Sequence, residues 1–231
     1  MLREIVLDTE TTGIDSTKGD RIIEIGCVEL INHVPSGRHY HCYINPQYPV
    51  SAGAFNVHGL SDAFLSDKPV FAAIVDEFEA FIGDSRLVIH NAPFDVGFLN
   101  AELKRLNRPE LASERVLDTL SMARRKHTGA SNSLDALCQR YGIDNSRRTK
   151  HGALMDSEIL AEVYIELIGG KQTMLGFAPD TKSKAETTGA LAPRLARLEP
   201  LATSLTDQAR AEHGQFIAKM SKASLWSTYK S

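Results

Sequence analysis

The sequence predicts an α/β domain in which a mixed sheet is flanked by helices, followed by a flexible C-terminal tail. Three observations support this prediction: β-rich segments come first, strand and helix patterns alternate after them, and the composition changes at residue 178. Consecutive strands that give way to strand–helix alternation are typical of a mixed sheet with helices on its faces. A chain of 231 residues can bury such a core without disulfide bonds.

Three segments near the N-terminus have the character of strands. Arg3–Asp8 is a short apolar run that ends in an acid, which is typical of a buried strand. The β-rich segments Arg21–Leu30 and Arg38–Ile44 are separated by a Pro-Ser-Gly turn. Because the connections are short, we expect these strands to form an antiparallel meander.

Helical spacing begins after this meander. Val70–Ile82 is amphipathic, follows Pro69 and ends at Gly83, so the pattern predicts a helix. The same criteria predict the remaining elements. They are the strands Arg86–His90 and Arg115–Thr119 and the helices Pro93–Leu106, Ser133–Tyr141, Ala153–Ile168 and, more weakly, Leu201–Trp226.

The C-terminal part differs in composition and charge. Residues 178–190 contain no Val, Ile, Leu, Met or aromatic residue, so we expect a flexible linker over residues 178–200. Residues 1–177 contain 18 Lys and Arg against 24 Asp and Glu, whereas residues 178–231 contain 8 against 5. A basic tail with isolated apolar residues cannot form its own core. We therefore expect residues 201–231 to bury those side chains against a partner.

The composition also indicates a reducing, aqueous compartment. The spacings of Cys27, Cys42 and Cys138 fit neither a disulfide framework nor a CxxC zinc site. No apolar run approaches the ~20 residues that a membrane-spanning helix needs, and the N-terminus lacks the architecture of a signal peptide. We therefore predict a cytoplasmic protein without a membrane partner.

Asp8 and Glu10 lie at the end of the first predicted strand. Side chains alternate between the two faces of a strand, so both carboxylates are expected to point the same way. Such a pair can bind a metal ion, which would agree with the acidic balance of residues 1–177. An acid pair at a strand end can equally be a turn signal or a helix cap, and the pair alone does not decide between these interpretations.

Asp95, His151 and Asp156 are the other candidates. Asp95 falls in the first turn of a predicted helix, where an acid can simply favour the helix dipole. However, a strand leads directly into this turn, and ligand clefts form at strand ends in α/β sheets. A separation of five residues corresponds to about 140° around a helix. His151 and Asp156 therefore converge only if His151 lies in the loop before the helix and Asp156 on its second turn; a histidine in such a loop is more often solvent-exposed.

Together these segments resemble the three motifs of the DEDD 3′–5′ exonucleases, in the branch that carries a histidine. The motifs are residues 8–13 (Asp-Thr-Glu-Thr-Thr-Gly), 90–95 (His-Asn-Ala-Pro-Phe-Asp) and 151–156 (His-Gly-Ala-Leu-Met-Asp). Residues 56–60 and 132–138 further resemble the proofreading subunits of bacterial DNA polymerase III. The resemblance implies a ribonuclease H-like exonuclease domain over residues 1–170.

The resemblance implies metal-dependent hydrolysis of a phosphodiester bond. Two ions, Mg²⁺ or Mn²⁺, can clamp the attacking and leaving oxygens when they lie about 3.5–4 Å apart, and hard ions prefer oxygen ligands. The family arrangement implies that Asp8, Glu10 and Asp156 hold the ions and that Asp95 is a further acid of the site. It makes His151 the general base for the attacking water, a role that suits imidazole because it titrates near neutral pH.

The resemblance also implies contacts to the 3′-terminal nucleotide of a single-stranded or frayed DNA end. These contacts are Asp8, Thr9, Glu10, Thr12, His58, Asn91, Phe94 and Asp156. Phe94 reads equally as a core residue beneath its helix. The basic clusters at residues 124–126 and 147–150 fit contacts to the phosphate backbone, although the first reads equally as solvated surface charge.

Segments after the exonuclease domain resemble partner-binding peptides. Gln172, Leu175 and Phe177, within residues 171–177, fit the peptide by which bacterial polymerase subunits bind the sliding clamp. The pattern alone also allows Leu175 and Phe177 to pack on the domain. The resemblance implies that residues 201–231 dock on the polymerase III alpha subunit, and it leaves open a small accessory subunit as a further partner.

Two alternatives remain at this point. An RNA-trimming relative would carry the same motifs, although it would not need a clamp peptide and a long tethered tail. A non-catalytic interaction subunit built on a retired nuclease fold should lack at least one acid, whereas all four acids and His151 are present. The sequence therefore favours a proofreading 3′–5′ exodeoxyribonuclease that releases 5′-mononucleotides.

Overall fold

The structure is a computed structural model in which the described residues belong to two compact units. One unit lies within Met1–Phe177 and the other within Ala178–Ser231. Among the described residues, no helix is long and apolar enough to cross a membrane. The described residues are 1–146, 148, 150–169 and 206–219.

The first unit is built on a mixed five-stranded sheet with the order β3-β2-β1-β4-β5. Its strands are β1 (Arg3–Thr11), β2 (Ile22–Ile31), β3 (Val34–Tyr43), β4 (Arg86–Ile89) and β5 (Val116–Asp118). β2 is antiparallel to both β1 and β3, whereas β4 is parallel to both β1 and β5. The predicted meander and mixed sheet are confirmed, and β1 is the central strand.

Helices cover the sheet within residues 1–169. They are α1 (Ala52–His58), α2 (Asp62–Leu65), α3 (Phe71–Ile82), α4 (Ala92–Arg105), α5 (Thr119–Lys126), α6 (Leu134–Tyr141) and α7 (Ala153–Leu167). Four of them match predicted helices, whereas α1, α2 and α5 were not predicted. The predicted strand end at Thr119 is wrong, because the Asp118 side chain caps a helix there and accepts a hydrogen bond from the N–H of Leu120 at 3.1 Å.

Alternation along β1 explains its uninterrupted apolar run. Ile5 and Leu7 lie in a core cluster with residues of α3 and α4. Val6 lies in a second cluster, with Tyr164 of α7. All three β1 side chains are fully buried. A strand that is covered on both faces has apolar residues at successive positions, so β1 is the layer that the two sets of helices share.

Helix α7 begins directly against the backbone of β2. A Cβ atom at Gly26 would lie 2.2 Å from the backbone carbonyl carbon of Ala153, so any larger residue would push the helix away. The Ser157 hydroxyl donates a hydrogen bond to the carbonyl oxygen of Gly26 at 2.9 Å. This contact sets the position of the first turn of α7. Asp156 lies in that first turn and not on the second, where the sequence placed it.

The second unit is described over one helix, α8 (Asp207–Lys219). It lies inside the predicted helical segment Leu201–Trp226, and its Phe216 is 62% exposed. The predicted clamp peptide, the linker and the remainder of the docking segment lie outside the described residues.

Candidate active site

A cleft of about 1300 Å³ opens at the end of β1, beside the first turns of α4 and α7. Strand ends are the usual place for ligand clefts in α/β sheets. All five residues predicted to be catalytic line this cleft: Asp8, Glu10, Asp95, His151 and Asp156. The three sequence motifs therefore meet in one place.

The end of β1 presents different groups to its two faces. The register with β2 is regular up to Glu10, so alternation places Asp8 and Glu10 on the face that α7 covers. Thr9 points to the opposite face, toward α4. Its hydroxyl and its N–H both donate hydrogen bonds to Oδ1 of Asp95, at 2.7 and 3.0 Å. Both acids thus share a face, as predicted, and Thr9 joins the strand to α4.

Asp95 is buried in the first turn of α4. The helix follows Asn91, whose backbone is left-handed with φ of 66°. The carboxylate of Asp118 accepts hydrogen bonds from the N–H groups of Asn91 and Ala92, at 3.1 and 3.3 Å. Asp118 was not predicted as a site residue. It holds the start of α4 against the sheet and thereby positions Asp95.

His151 lies in the loop before α7, which allows it to approach Asp156. The Nδ1 atom of His151 is 3.1 Å from Oδ2 of Asp156. The loop is tied to α1, because the N–H of His151 donates to the carbonyl oxygen of Val57 at 3.3 Å. Lys150 donates to the carbonyl oxygen of Asn56 at 2.6 Å. The unpredicted helix α1 thus supports the loop that carries the histidine.

Arg148 occupies the space between the acids and the histidine. Its Nε and Nη2 atoms donate to the two carboxylate oxygens of Asp156, at 2.5 and 2.7 Å. Nη2 is also 2.7 Å from Nδ1 of His151, and Nη1 donates to Asp135 at 2.7 Å. Arg148 belongs to the basic cluster in which the sequence suggested phosphate contacts. In the structure its guanidinium instead pairs with carboxylates.

Burial and crowding raise the pKa values of three acids. The pKa of Asp8 is raised well above its ordinary value by burial and then by the charges of Asp95, Glu10 and Asp156. Burial, followed by the charge of Glu24, raises the pKa of Glu10 to about 8. Burial also raises the pKa of Asp95. Carboxylates in such a confined space repel one another when ionised, so the site favours a bound cation.

Asp156 differs from the other acids. Burial would raise the pKa of Asp156, but its contacts with His151 and Arg148 outweigh that effect and lower it. The charge of Arg148 also opposes the rise in the pKa of Asp8 and of Glu10. One guanidinium therefore partly compensates the charges of Asp8, Glu10 and Asp156.

The donor set fits a divalent metal ion. Glu10, His151 and Asp156 each bring one potential ligand atom within 4.8 Å of the others. Asp8 is outside that group, but it lines the same cleft and its pKa responds to the neighbouring carboxylates. Carboxylate oxygens suit Mg²⁺ and Mn²⁺. A cation there would relieve the charge repulsion that adds to burial in raising the pKa values of Asp8 and Glu10.

Most of the other residues predicted to contact the substrate lie in the cleft, but Thr12 does not. Four line the cleft: Thr9, His58, Asn91 and Phe94. The Nδ1 atom of His58 accepts the N–H of Leu60 at 3.0 Å, which leaves the proton on Nε2. That Nε2 atom is buried and has no hydrogen-bond partner among the described residues. Phe94 also contacts Phe98, at 4.9 Å between ring centroids, so it packs on its own helix as well as lining the cleft; its contact with the substrate stays a prediction.

Thr12 is not among the residues that line the cleft. It is fully buried, and its hydroxyl accepts the N–H of Arg21 at 3.0 Å and lies 3.3 Å from Asp20. Its carbonyl oxygen accepts the N–H of Ser51 at 2.9 Å. Thr12 therefore connects the end of β1 to the start of α1.

The cleft also extends beyond the predicted residues. Its further lining includes Ser51, Arg124, Asn132, Ser133 and Asp135. Two sequence features indicate this extension: residues 132–138, which are part of the family resemblance, and the basic cluster at residues 124–126. Because α5 was not predicted, the sequence could not show that this cluster ends a helix beside the cleft.

Comparison with known proteins assigns the chain to a family. The Exonuclease family profile, RNase_T, matches residues 5–164. DNA polymerase III subunit epsilon of Rickettsia typhi is 55% identical over 175 residues, which are 74% of this chain and 76% of the relative. The protein of the same name from Escherichia coli K12 is 47% identical over 202 residues, 84% of this chain and 83% of the relative. The chain belongs to the DNA polymerase III epsilon-subunit family of exonucleases.

Solved structures confirm the fold expected of the epsilon-subunit family. Exonuclease X in complex with 5′ overhanging duplex DNA has 26% identity and a TM-score of 0.57, over 73% of this chain and 92% of that chain. The nuclease domain of 3′hExo, a DEDDh family member bound to rAMP, has 15% identity and a TM-score of 0.63 over the same shares. As a member of the epsilon-subunit family, the chain is a 3′–5′ proofreading exonuclease that depends on divalent metal ions.

Proposed function

We propose that this chain removes mispaired nucleotides one at a time from 3′ ends of DNA within a replicative polymerase, by hydrolysis that two Mg²⁺ or Mn²⁺ ions assist. The observation that carries the proposal is the convergence of Glu10, His151 and Asp156 within 4.8 Å in the cleft that Asp8 and Asp95 also line. Buried carboxylates that repel one another are unfavourable without a bound cation. We would therefore not expect this cluster in a catalytically inactive protein with a nuclease fold.

Asp8, Glu10 and Asp156 would hold the metal ions. Bound ions of this kind polarise the phosphate and lower the pKa of a coordinated water. The chain itself prepares the site, because β1 and α7 hold the three carboxylates on facing sides of the cleft. Asp95 adds a fourth acid, and its two hydrogen bonds from Thr9 keep one of its oxygens fixed.

His151 is the general base in this proposal. When Nδ1 donates its proton to Oδ2 of Asp156, 3.1 Å away, Nε2 is free to accept a proton from the attacking water. The His151 side chain is 45% exposed, so water can reach the ring. The carboxylate of Asp156 then stabilises the imidazolium that forms.

The walls of the cleft support a nucleic-acid 3′ end as the ligand. The volume of about 1300 Å³ exceeds that of most small-molecule sites, about 300–1,000 Å³. His58 offers a buried N–H donor, Phe94 offers a ring for base stacking and Arg124 offers positive charge. The complex of the 26% identical Exonuclease X with duplex DNA supports DNA as the substrate.

We further propose that the polymerase III alpha subunit and the sliding clamp are partners. Residues 201–231 dock on the alpha subunit, the linker at 178–200 tethers them, and Gln172, Leu175 and Phe177 bind the clamp. The names of the relatives support a polymerase assembly in the bacterial cytoplasm. A Pasteurella multocida epsilon subunit, 44% identical over 237 residues, covers 97% of this chain and 93% of its own length, so the tail has a counterpart there. A small accessory subunit remains a third expected partner.

The test uses end-labelled DNA with a mismatched 3′ terminus and a matched RNA of the same sequence. The protein is assayed with Mg²⁺, with EDTA and as the Asp8→Ala variant, whose folding is checked by circular dichroism. We expect the unmodified protein with Mg²⁺ to remove nucleotides one at a time from the DNA 3′ end. We expect no cleavage with EDTA or with the Asp8→Ala variant. Preference for RNA would identify an RNA-trimming enzyme, and full activity of Asp8→Ala would refute the metal assignment.

A further inference from the structure

Arg148 makes contacts that the hydrolysis proposed above does not require. Its guanidinium binds both oxygens of Asp156, one oxygen of Asp135 and a ring nitrogen of His151, all within 2.7 Å. The side chain is 7% exposed. Arg148 is thus a buried arginine that makes four directed contacts in the centre of the cleft. We expect these contacts to have a function there.

The Arg148 contacts compete with metal binding. A carboxylate ligand must direct an oxygen lone pair at the metal ion, and both oxygens of Asp156 already accept hydrogen bonds from Arg148. Paired hydrogen bonds between a guanidinium and a carboxylate are among the strongest that proteins form. Each oxygen keeps a second lone pair, but a divalent ion bound there would lie beside the positively charged guanidinium. Repulsion between the two cations then favours displacement of at least one nitrogen of Arg148 from Asp156.

Asp135 offers the displaced guanidinium a second anchor. It lies in the first turn of α6, accepts the third nitrogen of Arg148 at 2.7 Å and is 61% exposed. Because Asp135 is more exposed than Asp156, the arginine can remain there at the rim of the cleft while Asp156 turns to another cation. The structure thus shows both carboxylates that such an exchange needs: Asp156, which Arg148 would leave, and Asp135, on which it would stay.

We propose that Arg148 is the counter-ion of the metal-free site, which exchanges with the incoming divalent ion at Asp156 and stays anchored on Asp135. The proposal rests on the assignment of Asp156 as a metal ligand in the proposed function. It explains why one arginine partly neutralises Asp8, Glu10 and Asp156 together. It makes Arg148 a positioning residue that keeps the acids in place until metal arrives.

The exchange also releases His151. While Arg148 donates to Nδ1 of His151, the ring must carry its proton on Nε2, and Nε2 then has no lone pair free for water. Once Arg148 withdraws, the exposed ring can lose its Nε2 proton to water and take one up from water at Nδ1; Nδ1 then donates to Oδ2 of Asp156, and Nε2 becomes the acceptor. Displacement of Arg148 by the metal ion therefore makes an oxygen of Asp156 available to the metal and Nε2 of His151 available to water.

The first test measures Mn²⁺ binding to the nucleotide-free protein by titration calorimetry. We expect Arg148→Gln to bind Mn²⁺ about tenfold or more tightly than the unmodified protein, because hydrogen bonds to a charged group change an equilibrium by at least that factor. Arg124→Gln is the matched control: it removes a positive charge from the same cleft, and among the described residues the Arg124 side chain forms no hydrogen bond or ion pair with the acids. A merely structural role for Arg148 predicts weaker binding in its variant.

The outcomes separate the two proposals. Equal or weaker Mn²⁺ binding in Arg148→Gln, or equal tightening in both arginine variants, would overturn the exchange. Undiminished Mn²⁺ binding by Asp156→Asn would instead remove the proposed metal assignment and the exchange with it.

A second measurement observes the exchange in the unmodified protein itself. The Nε–H signal of Arg148 is followed by ¹H–¹⁵N NMR in the unmodified protein during a Mg²⁺ titration, with Arg148→Lys used for its assignment. We expect the signal to shift in step with metal binding as Nε leaves Asp156. An unchanged signal at saturating Mg²⁺ would overturn the exchange.

Discussion

The Thr9 hydroxyl lies 2.7 Å from Oδ1 of Asp95 and joins the central strand to the helix on one of its faces. Asp8 and Glu10, the neighbours of Thr9, point to the other face, where α7 carries Asp156. Three consecutive residues of one strand therefore organise acids from both layers of the fold. The period of two in a strand is what makes this arrangement possible.

Replacing Thr9 by Val tests the bond to Asp95. The hydrogen bonds from Thr9 lower the pKa of Asp95 against the larger effect of burial. Loss of the hydroxyl should raise that pKa further, so the acid limb of the kcat profile should move up by about one pH unit, the scale expected for one hydrogen bond to a charged group. Thr9→Ser keeps the hydroxyl and should retain the original profile. Coincident profiles for Val and Ser would contradict this prediction.

Glu10 should make the metal-free protein less stable at higher pH. Its pKa is raised from 4.5 to about 8, so the folded protein retains a proton that the unfolded chain has released between these values. Stability contributed by that proton is lost as pH rises through this window. In EDTA, Glu10→Gln should therefore gain unfolding free energy relative to the unmodified protein, by more than about 1 kcal/mol between about pH 5 and pH 8.

Urea unfolding at the two pH values measures this difference. The exposed Glu110→Gln variant serves as control and should follow the unmodified protein. Saturating Mg²⁺ should reverse the order, because the unmodified protein then keeps a metal ligand that the Gln variant lacks. A difference that does not depend on pH would exclude Glu10 as its source.

Asp118 should be needed for both stability and activity. Asp118→Ala removes the acceptor for the N–H groups of Asn91 and Ala92 and the cap of α5. We expect a loss of about 1–3 kcal/mol in unfolding free energy and a lower kcat, because the start of α4 no longer holds Asp95 in place. Asp118→Asn keeps one carbonyl oxygen as an acceptor, so its unfolding free energy and its kcat should both fall less than in the Ala variant. Full activity of the Ala variant would argue against this positioning role.

Gly26 is predicted to tolerate no side chain. A Cβ there would lie 2.2 Å from the backbone of Ala153, so Gly26→Ala has to push α7 off the sheet. We expect a loss of at least about 2 kcal/mol in unfolding free energy together with weaker metal binding, since Asp156 moves with the helix. Gly97→Ala, in α4 with open space around it, is the control and should not destabilise the protein. Thermal unfolding of both variants measures this difference, and equal stability of the two would contradict the prediction.

Deletion of residues 191–231 should separate catalysis from assembly. The truncated protein keeps the complete cleft, so its exonuclease activity on free DNA should be unchanged. It should no longer copurify with the polymerase alpha subunit. Undiminished affinity for that subunit would remove the docking role from the tail.

The core and the side chains that meet in the cleft could be predicted because they depend on local patterns. The apolar run before Asp8 indicates a buried strand, and the turn before Asp95 indicates the start of a helix. The three motifs have fixed residue types, so the four acids and His151 could be named from the sequence. Their convergence in one cleft then follows from the parallel pairing of β1 with β4 and the packing of α7 on β1.

Contacts between distant segments could not be predicted. Arg148 reads as a phosphate-binding residue because its neighbours in sequence are basic, and only the fold brings Asp135 and Asp156 to it. Asp118 lies within the predicted strand Arg115–Thr119; in the structure it ends β5, and its side chain also holds the starts of α4 and α5. Thr12 belongs to a sequence motif of the family, yet its hydroxyl contacts Arg21 and Asp20 and its carbonyl oxygen makes the link to α1. In each case at least one partner lies on another element of the fold, which spacing cannot reveal.

Strand β1 has a paired neighbour on each edge and helices over both faces. Amide protons in such a strand exchange with solvent only when the whole sheet opens, so this segment should be among the last to unfold. Asp8 and Glu10 therefore belong to the most persistent part of the molecule. Partial unfolding that starts at an edge strand or a short helix would leave both carboxylates in place. The strand that carries them is lost only when the fold itself is lost.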